Sequence, residues 1–572
     1  MNGLLAETLR PVAMVLALLG ATLGGATAPA AEIGRPMRLF PDAGTLPAPA
    51  TSTESVGIGD TPLTILVERG ATGLLDAATG ALPASLWAGS TRDRIDPLLL
   101  ELQPPRHAVL RSLVRRALAS PGDPPAAEDA ASRPDFAALR ARSLFRLGDA
   151  VAARSLAESA MRGQSEPTAM AVIRDALFLA TDPRPACAWV RDPRAESGAP
   201  DWMAGLVTCQ TLAGDTMRAR LGLTMLRDAG NDDDWLDRFV ALADGTRRAL
   251  DGGRAPLAPH HFALLAAARV PLPAAAIASV PQAILVAIAG SDAVPLDTRL
   301  RGAEAAVAGG ALDGVRLAAL YDGATFSPAE TADLRGFAER ESGPRGRAAF
   351  YRLLKTSDAS GRARLFAEAQ AMAERRGAGR AFRRAAAETV ASLAPVPDDE
   401  DSIASVVRTL LIDGRAFDAQ RWFALLREGA GITPTGVQLA PLMVLSGAAG
   451  PELMTTELLR AWRDAQGRGG VLRVRLLAEI LDALGLPVAG LTPLATSPPV
   501  SGPVAALLAR LSQAVEQRAL GESILLAAAA AATDVAQDRP SAIGAAIRAL
   551  RALDFDDGAR ALALDAALLA GL

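Results

Sequence analysis

Few side chains in this sequence suit chemistry, and their spacing limits what that chemistry would be. The two cysteines, Cys187 and Cys209, stand 22 residues apart, with a Pro- and Gly-containing turn around Asp192 to Pro200 between them. On two consecutive predicted helices they are placed for a disulfide. Conditional on export to an oxidising compartment, it would contribute about 3 kcal/mol by restricting the unfolded chain; two buried thiols are the alternative. The histidines are His107, His260 and His261, none at ligand spacing from a cysteine, so no metal centre is expected. His260 and His261 follow Pro259 at the start of predicted helix 262–269. Paired imidazoles can bind a metal or sense pH. With no third ligand nearby in sequence, they read as a surface pair at a helix start.

The acidic runs Asp232 to Asp234 and Asp398 to Asp401 lack the alternating oxygen ligands, Gly turn and distal Glu of a calcium loop. Each precedes helical sequence, where carboxylates cap free N–H groups and interact favourably with the helix dipole. The sequence contains no Gly-rich phosphate loop, dinucleotide fingerprint, Ser nucleophile elbow or Cys–His pairing. The chain therefore reads as non-enzymatic, with no cofactor.

What would position any such group is a recurring helical unit. A turn residue is followed five positions later by Ala, which starts an apolar stripe at i, i+3, i+4 and i+7. Gly148 leads to Ala153, Leu156, Ala157 and Ala160, and Gly214 to Ala219, Gly222, Leu223 and Leu226. Gly414 leads to Ala419, Trp422, Phe423 and Leu426; Asp554 takes the glycine's place before Ala559, Leu562, Ala563 and Ala566. This period puts each stripe on one helical face. Glycine ends the preceding helix because it tolerates positive φ, and Asp149 and Asp215 are placed to cap the next one. A partial copy runs Gly310, Val315, Ala318, Ala319. Trp422 and Phe423 are expected to fill a core, as are the single helical tryptophans Trp87, Trp189, Trp202, Trp235 and Trp462.

The turns are separated by 66, 200 and 140 residues, multiples of roughly 33 to 35, a period of stacked helical hairpins. From about Pro134 to Leu572 the pattern resembles the second helix of tetratricopeptide repeats, without that family's first-helix aromatics or closing proline. The resemblance implies an all-α solenoid of antiparallel hairpins that binds proteins or peptides in a groove. Glu341 with Ser342 is similar to the Glu-Ser pair of soluble lytic transglycosylases, but the Gly-Leu-Met-Gln signature that follows in that family is absent here. That resemblance implies, as the alternative, a peptidoglycan-processing enzyme or accessory subunit.

With 50% apolar and only 4% aromatic residues, cores must be built from Leu, Val and much Ala, which suits closely approaching helices. Net charge is −4 and Lys355 is the single lysine. The bias toward Arg reads as base composition. Without a basic stripe interleaved with aromatics, nucleic-acid binding is not expected.

Val12 to Leu23 is an apolar run after Arg10, and Ala28 and Ala30 fit the small-x-small rule for cleavage between Ala30 and Ala31. The expectation is a periplasmic or secreted protein that meets envelope protein or peptide partners. Membrane contact, as a tethered structural protein, would require that segment to be retained. The predicted order is signal peptide 1–30, Pro/Ala/Thr-rich spacer 31–85 with a possible strand at Leu63 to Glu68, and helical hairpin 86–119. Linker 120–134, repeat body 135–490, Pro-rich linker or loop 491–503 and helical segment 504–572 complete it.

Overall fold

The computed structural model describes residues 72–572 apart from 130–131, 162–165, 193–199, 254–255, 359–360, 429–430 and 492–499. The apolar run with Ala30 and Ala31, the spacer up to residue 71 and the expected strand at 63–68 lie outside the described residues, as does most of 491–503. What is described is all-α: 27 α-helices, short 3-10 turns, and one two-residue antiparallel pair joining Arg427–Glu428 to Gly431–Ile432.

Helices form where apolar residues recur on one face, and many of them stop where the chain turns left-handed. Positive φ occurs at all five turn positions: 96° at Gly148, 76° at Gly214, 78° at Gly310, 73° at Gly414 and 62° at Asp554. There the next amide reaches back to a carbonyl left without a partner by the ending helix. Asp149 N donates to Leu144 O at 3.1 Å, Asp215 N to Gln210 O at 2.9 Å, Arg415 N to Leu410 O at 2.8 Å and Phe555 N to Leu550 O at 2.9 Å. Asp149 and Asp215 accept from Ala152 N and Arg218 N, 3.1 and 3.2 Å away, and so start the following helix.

Behind each turn the second helix lays its stripe on the first. Ala150–Met161 packs on Phe136–Arg146, Thr216–Asp228 on Pro200–Leu212, Ala416–Phe423 on Glu400–Ile412, and Asp556–Leu569 on Arg539–Ala552. Ala153, Leu156 and Ala157 are buried, with Ala160 half-buried; Ala219, Leu223 and Leu226 are buried. So are Ala419, Trp422, Phe423 and Leu426, the last in the 3-10 turn Ala424–Leu426, and Ala559, Leu562, Ala563 and Ala566. Small residues set the approach: a Cβ on Gly222 would sit 2.4 Å from Val207 Cγ2.

The partial copy departs from its expected register. Its turn at Gly310 is present, but Asp313 caps the next helix, Gly314–Asp322, so that helix starts two residues later after its turn than the others do. The inward positions become Leu317 and Tyr321, both fully buried, while Val315 is 64% exposed.

The two ends of the described chain meet. Ala108–Ala119 packs on Leu520–Ala531 and on Asp556–Leu569, and the latter also packs on Pro434–Leu445 and Val471–Leu484. Trp87 fills the space above Gly521, where a Cβ would come within 2.4 Å of its ring. Glu522, with no solvent exposure, accepts from Ser90 Oγ at 2.9 Å and Arg94 Nε at 2.8 Å. His107 Nδ1 and Asp565 Oδ2 are 2.9 Å apart. Ala126 and Pro134 meet the same junction, Ala126 bridged to Thr91 and Pro134 O accepting from Arg92 at 2.8 Å.

The turn geometry makes a paired prediction. A Cβ on Gly414 meets nothing within 4 Å, so Gly414→Ala tests φ alone and should lower unfolding stability by about 1–2 kcal/mol. Asp554→Gly should raise it by up to about 1 kcal/mol. Denaturant midpoints check both; a Gly414→Ala midpoint equal to wild type would contradict the assignment.

Candidate functional site

The described residues bring one histidine–carboxylate cluster together. Asp233 caps the helix Asp234–Ala243, its Oδ1 accepting from Leu236 N at 3.0 Å. Its other oxygen, Oδ2, faces the start of Pro259–Ala268, 2.9 Å from His261 Nε2 and 3.2 Å from His260 Nε2. The capping role expected of the acidic run therefore holds for Asp233, and likewise for Asp399, which accepts from Ser402 N at 2.9 Å. The surface placement expected for the histidines does not hold: His260 is 8% and His261 2% exposed. Their rings pack against Phe178 and Phe239, centroids 6.3 and 6.2 Å away. The third member of the cluster arrives from an earlier helix start, so proximity in sequence did not reveal it.

The protons of this cluster decide its chemistry. His261 Nδ1 accepts from Ala258 N at 2.9 Å, which leaves the ring proton on Nε2, pointing at Asp233. The three donor atoms lie within 4.8 Å of one another, a spacing that would suit a metal ion. A cation at His261 Nε2 would need that nitrogen's lone pair, and the displaced proton would then oppose the Ala258 N–H. The donor set thus fits a carboxylate sharing two imidazole protons and does not fit a resident metal. Burial, followed by the neighbouring His261, lowers the His260 pKa to about 4, so that ring is neutral at pH 7. Burial alone would push the Asp233 carboxyl up, but its bonds to the two imidazoles outweigh this and hold it well below the usual carboxylate range.

A second polar group is buried around Glu304, whose carboxylate is gripped by Arg347 through Nε at 2.7 Å and Nη2 at 2.6 Å. Tyr321 donates its hydroxyl to the same carboxylate at 2.7 Å, and burial together with that negative charge raises the phenol pKa. Glu304 and Arg347 border a cavity of about 220 Å³ with Arg301, Arg376 and four alanines. Its charges are committed within the protein: Arg301 to Asp297 at 2.8 Å, and Arg376 to the carbonyls of Glu341 and Glu339 at 2.7 and 3.0 Å. Glu341 does not line the cavity. Its carboxylate closes the turn after Leu334–Arg340 by accepting from Gly343 N at 2.6 Å.

The cysteines form the disulfide Cys187–Cys209, with Cα atoms 5.6 Å apart, joining Arg184–Val190 to Pro200–Leu212. Such a bond is at home in an oxidising, extracytoplasmic compartment. Among the described residues no helix is long and apolar enough to cross a membrane. No known protein family, curated protein or solved structure matches this chain.

Because the folded pKa of His260, about 4, lies below the ordinary 6.5, the unfolded chain binds its proton first as pH falls. The stability this ring contributes is complete above pH 6.5 and is lost toward pH 4, a change on the order of 3 kcal/mol. Unfolding measured across that range should show the decline, and His260→Asn should flatten it; an unchanged slope in the variant would refute the assignment.

Proposed function

We propose that this chain is an exported, tetratricopeptide-like helical-repeat scaffold that binds protein or peptide partners in the bacterial envelope, without a cofactor. The observation that carries this reading is where the exposed apolar side chains fall. Val151, Met217 and Phe417 are 80%, 82% and 74% exposed, and each is the third residue after a left-handed turn glycine, Gly148, Gly214 and Gly414. Equivalent positions of separate hairpins thus present large apolar groups to solvent, on helices whose other faces are buried. A solitary exposed apolar residue carries little meaning, but recurrence at one structural position is the arrangement of a binding surface.

Export is supported by the apolar run before Ala30 and by the disulfide. Binding without catalysis is supported by the engagement of the buried acids and histidines within the fold. The hairpins supply a rigid frame, and affinity would come from apolar anchors and nearby arginines meeting a complementary surface.

Two measurements test this. Mass spectrometry of the protein from its host should find the mature chain beginning at Ala31; a chain retaining residues 1–30 would replace the exported reading with a membrane-tethered one. Crosslinking in cells should recover a reproducible envelope protein, and Phe417→Asp should reduce that recovery several-fold while shifting unfolding stability by no more than about 0.5 kcal/mol. Recovery of peptidoglycan fragments alone would overturn the scaffold reading.

A further inference from the structure

We infer that the helix Thr216–Asp228 is a self-association surface, on which a second copy of this chain docks antiparallel to the first. Met217, Leu221 and Met225 are 82%, 62% and 51% exposed. Spaced four apart, they form one ridge, on the side away from buried Ala219, Leu223 and Leu226. Three large apolar groups in line form a continuous patch, in contrast to the scattered single residues usual on a monomer surface. Methionine adapts its shape to a facing surface, and two such stripes can interdigitate.

The helix is held firmly enough to serve as a platform. Gly222 brings it against Val207 on Pro200–Leu212, the helix that Cys209 bonds to Cys187. Among the described residues it also packs on Asp234–Ala243, and its outer ridge is left exposed.

A second copy is the chosen occupant because the ridge is complementary to itself. Arg218 flanks the first turn and Asp228 ends the last. Antiparallel pairing about Leu223 sets Leu221 of one copy beside Met225 of the other, and the reverse. It also brings the Arg218 end against the Asp228 end twice, with the helix dipoles opposed. Parallel pairing would set Arg218 against Arg218 and Asp228 against Asp228. Arg218 already lies 3.3 Å from Asp215, but both side chains are substantially exposed, and so weak a pair exchanges readily for a new one. This inference does not rest on the capture of an envelope partner, which other hairpins could perform from a dimer.

Sedimentation equilibrium of the mature protein isolated from its host tests it, with the mass expected to approach twice that of the single chain as concentration rises. Leu221→Asp should weaken dimerisation by about tenfold or more, with unchanged circular dichroism and melting. Arg218→Asp should weaken it also, and Arg218→Asp combined with Asp228→Arg should restore it, an outcome that general loss of folding cannot imitate. A monomer at every concentration, or a dimer indifferent to both Leu221→Asp and the charge reversal, would overturn the inference.

Discussion

Every α-helix leaves its last four carbonyls without an intrahelical partner, and a chain built almost wholly of short helices meets that problem at each of its turns. How those carbonyls are satisfied governs the rest of this structure. The main device is the left-handed turn residue, which lets the next amide reach back five positions. Beyond the turns visible as a repeat, the same closure recurs with Asn231 N on Leu226 O at 2.9 Å, Ala378 N on Ala373 O at 2.8 Å and Ala519 N on Ala514 O at 2.9 Å. The last passes through Arg518 at a φ of 53°. Because the turn reverses the chain, it also delivers the following helix to the face of the preceding one, where alanines permit close approach.

The second device is arginine, whose side chains reach helix-end carbonyls that the turns do not close. Arg111 donates to Leu147 O at 2.6 Å and also to Gly309 O, joining the ends of two helices far apart in sequence. Arg352 reaches the carbonyls of Asp322 and Ala324, and Arg551 that of Ala483 at 2.8 Å. Arg140, fully buried, serves Ser120 O at 2.6 Å and Thr72 O. Burial lowers the pKa of Arg111 and Arg140 to about 10, which still leaves both charged at neutral pH. A planar guanidinium reaches two carbonyls with fixed geometry and is more weakly hydrated than an ammonium. The lone lysine, Lys355, lies at the surface beside Asp322, 2.8 Å from its carboxylate.

Buried and half-buried acids are the third element, and each ties together segments that sequence order does not associate. Glu522 binds Ser90 and Arg94 across the junction of the two ends, Asp565 meets His107 in the same region, and Asp233 collects two imidazoles while capping its own helix. A carboxylate withdrawn from water needs such partners to remain in place. Their engagement within the fold is why the polar clusters read as internal supports, and why exposed apolar side chains carry the functional argument.

The amino-acid sequence made the local structure legible: the helices, the turn at Asp554 as much as those at glycine, the caps at Asp149 and Asp215, the inward stripes and a feasible disulfide. These depend on backbone conformation and periodicity within some twenty residues, which composition and spacing record directly. It misplaced Val315, because a two-residue shift in helix start rotates every later side chain by about half a turn. It also left His260 and His261 on the surface. Packing of the whole chain is what brings Asp233 to those histidines, lays residues 520–569 on residues 84–119, and lets arginines cap helices distant in sequence. Such contacts depend on how successive hairpins are rotated against one another. Small packing differences at many alanine-lined interfaces accumulate into that rotation, and no single motif encodes it.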